Sequence, residues 1–389
     1  MQTKSAQEAQ ITAWLAEHEP QMLALLEELV NTDSGSYNKK GVDAAGSVLR
    51  NFLEDRGIPC EIIPIETHGD AIRATVSGAN GNQPILFMGH RDTVFPEGEP
   101  TRRPFRVENG RAYGPGVADM KAGLAMSAFL LAAFHELGGA PAPLVALFTG
   151  DEEIASPTSR PIIEDEARKA RAVFNCEPGR PSGNIVTGRK GGAFLRCEVF
   201  GKAAHSGGNF KEGISAIEEL ARKIQAWHKL TDHEVGSTLN VGLVEGGQSV
   251  NTVAPYAACA IDTRFVTMQD RDAMVEAVTR IATECSVPGT RAEIEITGEF
   301  APLQPSSDSQ ALFDHYVAAA ADAGLEIGGE FSGGCADSGF AAQVGAPTLC
   351  AVGPVGGKGH SPEEYLEVGS LVPRAQALAL SILRLDRMG

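Results

Sequence analysis

The chain has 389 residues, 43% of them hydrophobic and 21% charged, so it is too long for one ordinary core and apolar enough to fold. Two domains are expected. Its 50 acidic residues against 33 basic ones leave a formal charge of -17, a field that repels phosphate backbones and anionic headgroups and excludes nucleic-acid or membrane-surface binding as the main function.

The opening stretch MQTKSAQEAQITAW lacks the basic start and unbroken apolar run of a secretory signal, and a cytoplasmic protein is expected. Helical patterns follow at 6–30 and 42–56, the second stopped by Gly57 and Pro59. Short apolar runs at 85–88, 144–149 and 172–176 then alternate with helical segments at 120–137 and 161–170, which predicts βαβ units in a mixed, largely parallel sheet flanked by helices. The run Leu124 to Phe134 falls short of the roughly 20 residues that span a bilayer and reads as a buried helix. From Gly188 the order becomes strand, helix, two strands, helix, strand, the pattern of a ferredoxin-like α+β sandwich. After Pro305 helix and strand alternate again up to a last helix at 371–385. We therefore expect an α/β catalytic domain of residues 1–187 and 302–389, with an inserted ferredoxin-like domain of residues 188–301.

The chemistry-bearing residues cluster where an open α/β sheet places ligands, just past the C-terminal ends of its strands. His90 and Asp92 (GHRDTV) follow the strand ILFM; Asp119 sits between a Gly/Pro-rich loop and the apolar helix; Asp151, Glu152 and Glu153 follow LVALFTG; Glu177 follows AVFNC; His360 follows TLCAV and a glycine-rich loop. Singly, each has a bland reading as a cap or a loop residue. Together they make two imidazoles and a set of carboxylates on one rim, the donors that divalent ions prefer. The seven cysteines are odd in number and form no C-x-x-C pair, so any metal must be held by His, Asp and Glu.

In this order GHRDTV, GPGVADMKAG, TGDEE, CEP, GKAAHSG and GHSPEEY resemble the signature blocks of the carboxypeptidase G, aminoacylase and succinyl-diaminopimelate desuccinylase family of two-zinc metallopeptidases. The resemblance implies that His90 and Glu177 hold one ion, that Glu153 and His360 hold the other and that Asp119 bridges both. The ions would be zinc, with manganese or cobalt as alternatives. It also implies Glu152 as general base, Asp92 as the partner that steers His90, and a cis peptide between Asp119 and Met120. His205 resembles the family histidine that reaches into a neighbouring subunit's site and holds the oxyanion, which implies a homodimer formed through the inserted domain. Asn251 and Arg264 resemble substrate-contacting residues. Where folate-cleaving members carry a Gly-Arg-Pro stretch, this chain reads TGEFAPL, which puts Glu299 at the place of the arginine that grips a terminal glutamate.

The expected activity is hydrolysis of an amide bond in a small peptide or N-acyl amino acid, by water that two ions activate and Glu152 deprotonates. Hydrolysis of another C–N bond (ureido, amidine or aromatic amine) on the same metal site, or metabolite binding without catalysis, are the alternatives.

Overall fold

The structure is a computed structural model that describes residues 5–78 and 82–387; the first four residues of the N-terminal stretch lie outside them. The chain forms two compact units, one of Met1–Gly188, Pro305–Phe331 and Phe340–Gly389, the other of Arg189–Gln304 and Ser332–Gly339. The sequence reading left the Ser332–Gly339 loop with the catalytic part, whereas its contacts are with the second unit.

The first unit is built on an eight-stranded sheet in the order Cys60–Ile63, Ala71–Val76, Leu144–Thr149, Ile85–His90, Ala172–Asn175, Thr348–Cys350, Ile185–Arg189, Gly329–Ser332. The four middle strands run parallel. Every residue of the three at Leu144–Thr149, Ile85–His90 and Ala172–Asn175 is buried, which is why they read as unbroken apolar runs rather than as alternations. Ala71–Val76 adds an antiparallel margin.

The helix Ala122–Glu136 is buried all round from Ala122 to Phe134 and packs among the helices Ala6–Glu17, Glu19–Val30, Lys39–Glu54 and Leu371–Arg384. Counted from Val117, this segment is long and apolar enough to cross a membrane, contrary to the shorter estimate from the sequence, yet it is 94% buried inside the protein. Gly123 lets the helix approach the sheet, since a Cβ there would stand 1.9 Å from the Cys176 carbonyl oxygen. One expected helix is in fact two, Ala6–Glu17 and Glu19–Val30, because Pro20 lacks an N–H and its ring clashes with the preceding turn.

The second unit is a four-stranded antiparallel sheet in the order Thr238–Gly246, Tyr256–Phe265, Gly191–Phe200, Arg291–Phe300. Numbered along the chain this is 2-3-1-4, the ferredoxin-like arrangement. Alternate residues Ala193, Leu195, Cys197 and Val199 face a core closed by Leu220 and Trp227 of Ala216–Trp227 and by Met274 and Val278 of Met268–Thr283. Both helices start on side-chain caps, Ser215 accepting from Glu218 N–H and Thr267 forming a capping box with Asp270.

Candidate metal centre

Three neighbouring parallel strands deliver the first candidate ligands to one rim. His90 ends its strand in register with Thr149, Glu152 and Glu153 lie in the turn just past Thr149, and Glu177 lies two residues past Asn175. The last ligand arrives by a device the sequence reading missed: a small antiparallel sheet in which Tyr365–Glu367 pairs with Arg111–Tyr113 and with Gly356–Gly357. This pairing brings the His360 turn against the Asp119 turn.

His90 Nε2 is 3.2 Å from Asp119 Oδ1 and 3.4 Å from Glu177 Oε1; His360 Nε2 is 3.3 Å from Asp119 Oδ2 and 3.1 Å from Glu153 Oε2. Two groups of donors result, His90, Asp119 and Glu177 and then Asp119, Glu153 and His360, each with its atoms within 4.8 Å of one another. Ligands placed about 2.0–2.1 Å from a tetrahedral ion lie about 3.3 Å apart, so these spacings match the edges of two such polyhedra that share Asp119. The donor set fits a pair of divalent ions.

The electrostatics ask for positive charge as well. Hydrogen bonds that His360 donates to the carboxylates of Asp119 and Glu153 push its imidazole up to about 10. His90 is raised well above its ordinary value by Glu152, Asp119, Asp92 and Glu177, against a burial that opposes it. Burial, aided by the charge on Asp119, pushes the Glu153 carboxyl up to about 7 although His360 pulls it down.

Neighbouring groups orient the ligands. The His90 Nδ1 stands 3.0 Å from the main-chain carbonyl of Asp92, which can only accept, so Nδ1 carries the proton and Nε2 turns its lone pair to the cluster. The Asp92 carboxylate is farther from Nδ1, at 3.5 Å. It accepts instead from Ser36 Oγ at 2.7 Å and from the amides of Glu152 and Glu153 at 3.1 Å each. Asp92 thus sets the turn that carries both glutamates. Glu152 brings its Oε2 to 3.8 Å from His90 Nε2.

Asp151 plays no part in the cluster: its carboxylate accepts from Thr158 N–H and Oγ1 (2.8 and 2.5 Å) and from Ser159 N–H (3.2 Å) ahead of the helix Arg160–Lys169. Glu364 is the positioning residue that sequence reading missed. Fully buried, its carboxylate accepts from the amides of Gly116, Ala118 and Asp119 at 3.0, 2.8 and 2.9 Å and so holds the turn that bears the shared ligand. Its only sequence signal is its place four residues after His360. The Asp119–Met120 peptide is cis, as the resemblance implies.

The remaining candidates belong to the second unit. His205 is exposed, and its Nδ1 accepts from the amides of Gly207 and Gly208 at 3.1 Å each, so the neutral ring carries its proton on Nε2 and presents a donor. Ser206 N–H donates to the Asn251 carbonyl, which places His205 and Asn251 on adjoining loops. Arg264 grips Asp262 through Nε (2.8 Å) and Nη2 (2.7 Å), while its Nη1 stands 2.8 Å from Cys335 Sγ. Glu299 is neutralised in the same bidentate way by Arg271.

The α/β sheet, with two ligand groups that share one carboxylate at its rim, presents a candidate two-ion centre. The sequence profile of Peptidase family M20/M25/M40 matches residues 86–384, and the chain belongs to that family. It is 29% identical over 373 residues to carboxypeptidase G2 of Pseudomonas sp. (strain RS-16), covering 94% of this chain and 89% of that protein. It is 27% identical to the acetylornithine deacetylase of Proteus mirabilis (strain HI4320), over 92% of this chain and 95% of that one. Among solved structures, the M20 family metallo-carboxypeptidase Sso-CP2 from Sulfolobus solfataricus shares the fold with a TM-score of 0.78, at 20% identity over 94% of this chain and 99% of that one. The chain is a hydrolase of amide bonds in peptides or N-acyl amino acids.

Proposed function

We propose that two zinc ions, with manganese or cobalt as substitutes, are held by His90, Asp119 and Glu177 and by Asp119, Glu153 and His360, and that the substrate is a dipeptide or N-acyl amino acid. The observation that supports this most is the sharing of Asp119 between two ligand groups of tetrahedral spacing. Bound there, such ions supply Lewis acidity, polarising an amide carbonyl and acidifying water. The chain's own residues do the rest. Glu152, held by Asp92 through its amide, takes a proton from the attacking water and returns it to the leaving amine. His205 donates from Nε2 to the oxygen that develops negative charge. Asn251, beside it, and Arg264, which also serves Asp262, bind the substrate.

His205 acts across a homodimer formed through residues 188–301, the lid and dimerisation domain inserted into the catalytic domain of 1–187 and 302–389. Support comes from the edge strand Thr238–Gly246, which exposes Leu243 and Val244 in the manner of a strand awaiting a partner. Our reading assigns it to the cytoplasm, where its seven unpaired cysteines would remain reduced.

Metal analysis of the purified protein, joined to a mass-spectrometric screen of dipeptides and N-acyl amino acids, tests cofactor and substrate together. Mixing Glu152→Gln with His205→Ala tests the cross-subunit role: exchange into mixed dimers restores about one quarter of wild-type sites if His205 acts in trans, and none if it acts within its own chain.

A further inference from the structure

Beside the candidate ligand cluster, and wholly within the first unit, lies a cleft of about 500 Å³ walled by residues 35–38 and 93–97 and by Glu153 and Ile154. Its two loops are locked together. Ser36 N–H donates to the Thr93 carbonyl (3.2 Å), Thr93 N–H to the Ser34 carbonyl (2.9 Å) and Gly98 N–H to Asp33 (2.7 Å). A Cβ on Gly35 would lie 2.6 Å from the Phe95 carbonyl oxygen, so only glycine permits this approach. Phe95 is backed by Arg103, whose guanidinium stands 4.9 Å from the ring centre and donates to the Pro362 carbonyl, two residues beyond His360. The cleft is preformed and tied to the turn that carries a metal ligand.

Its polar walls are already engaged: Ser36 Oγ donates to Asp92 and Asn38 Oδ1 accepts from Gly41 N–H. Apart from Gly35, Thr93 and the carboxylates of Glu97 and Glu153, the rest of the wall is Tyr37, Val94, Phe95, Pro96 and Ile154. Tyr37 is 86% exposed and Val94 43%, large apolar groups left facing solvent beside a reactive centre. No Lys, Arg or His lines the cleft, and its only carboxylates are those of Glu97 and Glu153.

We infer that this cleft receives the acyl half of the substrate and that this half is a bulky, uncharged, apolar group. The inference rests on the amide-hydrolase reading above. In an N-acyl amino acid the free carboxylate belongs to the amine half, and no Lys, Arg or His side chain in this cleft offers it a bidentate or hydrogen-bonded ion pair. The acyl half carries the carbonyl that reacts beside Glu153, so its substituent must extend into the adjoining space. Clefts of about 300–1,000 Å³ with mostly apolar walls are the usual receptors for groups of this kind.

The test uses the full chain loaded with zinc and carrying Glu152→Gln to stop turnover. Dissociation constants are measured for N-acetylglycine, N-hexanoylglycine and N-benzoylglycine. The two larger acyl groups are expected to bind about tenfold more tightly than acetyl, and Val94→Asp to shrink that preference to about twofold. Tyr37→Ala, at an exposed position where truncation costs no packing, is expected to shrink it too. Equal affinities for the three compounds, or a preference untouched by both substitutions, overturn the assignment. Wild-type turnover of the same compounds separates the two claims. Tighter binding of the large acyl groups without hydrolysis of any amide keeps the cleft and removes the hydrolase reading; hydrolysis with acetyl preferred removes the cleft and keeps the hydrolase.

Discussion

Glu152 and Glu153 are adjacent in sequence yet are proposed to do different work, because the turn after Thr149 sends the Glu153 carboxylate to His360 and the Glu152 carboxylate toward His90. Glu152→Gln preserves the shape and the amide bond to Asp92 while it removes the basic oxygen. Turnover is expected to fall by about a thousandfold with metal content unchanged, measured by steady-state kinetics and elemental analysis on the same preparation. Loss of metal along with activity would make Glu152 a ligand instead. Glu364 predicts the reverse pattern. Gln at this position offers one acceptor oxygen and one NH2 to three backbone donors, so the Asp119 turn loses part of its anchor. Zinc affinity is expected to weaken by about tenfold, read by chelator competition. An unchanged dissociation constant would falsify the positioning role. The five candidate ligands could be singled out in the sequence because each follows an apolar run or opens an apolar helix. Glu364 was not, since a buried carboxylate that binds only main-chain amides looks like any loop acid until the loop it grips is known.

Strands and helices were legible wherever burial is one-sided or total. The alternation of Gly191–Phe200 and the unbroken run of Leu144–Thr149 each announce their surroundings. The small sheet that carries His360 to Asp119 was not legible, because its strands are two or three residues long and the pairing spans the chain from Arg111 to Glu367. Within the second unit, one helical pair predicts an acid response. Glu219 and Lys223 form an ion pair at 2.8 Å, both side chains almost fully buried. Burial raises the Glu219 carboxyl, but Lys223 and the amides of Val287 and Ser286 outweigh it and hold the group below its ordinary value of 4.5. A depressed folded value contributes stability that is fully present above about 4.5 and is lost as pH falls through the folded value. Chemical denaturation of Glu219→Ala at neutral pH should show a loss of about 3 kcal/mol, since Lys223 is left buried without its partner. The variant's stability should also vary less with pH below 4.5 than the parent's. A parallel acid response in both proteins rules the pair out as its source.

At the scale of the whole chain, each unit encloses its own hydrophobic core, and all five candidate metal ligands lie in the first. The two tryptophans divide likewise: Trp14 stacks on His18 in the first unit, and Trp227 donates to the Val278 carbonyl in the second. Zinc binding should therefore stabilise one core and leave the other alone, by about 4 kcal/mol at a thousandfold excess over the dissociation constant. Thermal unfolding of single-tryptophan variants, with and without chelator, should show the Trp14 transition move and the Trp227 transition stay. Coincident shifts in both would mean that the two units unfold as one.

Patterning and composition were enough to predict the α/β class and the ferredoxin-like fold, and to nominate His90, Asp119, Glu153, Glu177 and His360 as candidate ligands, because these follow from local periodicity and from which side chains can bind a cation at all. Spacing and burial had to wait for the fold: that Asp119 joins two donor groups, that the Asp92 carboxylate serves the glutamate turn more closely than His90, and that an apolar cleft opens beside Glu153. Such features arise where loops far apart in sequence meet, and the energy that brings them together resides in a core they do not themselves encode.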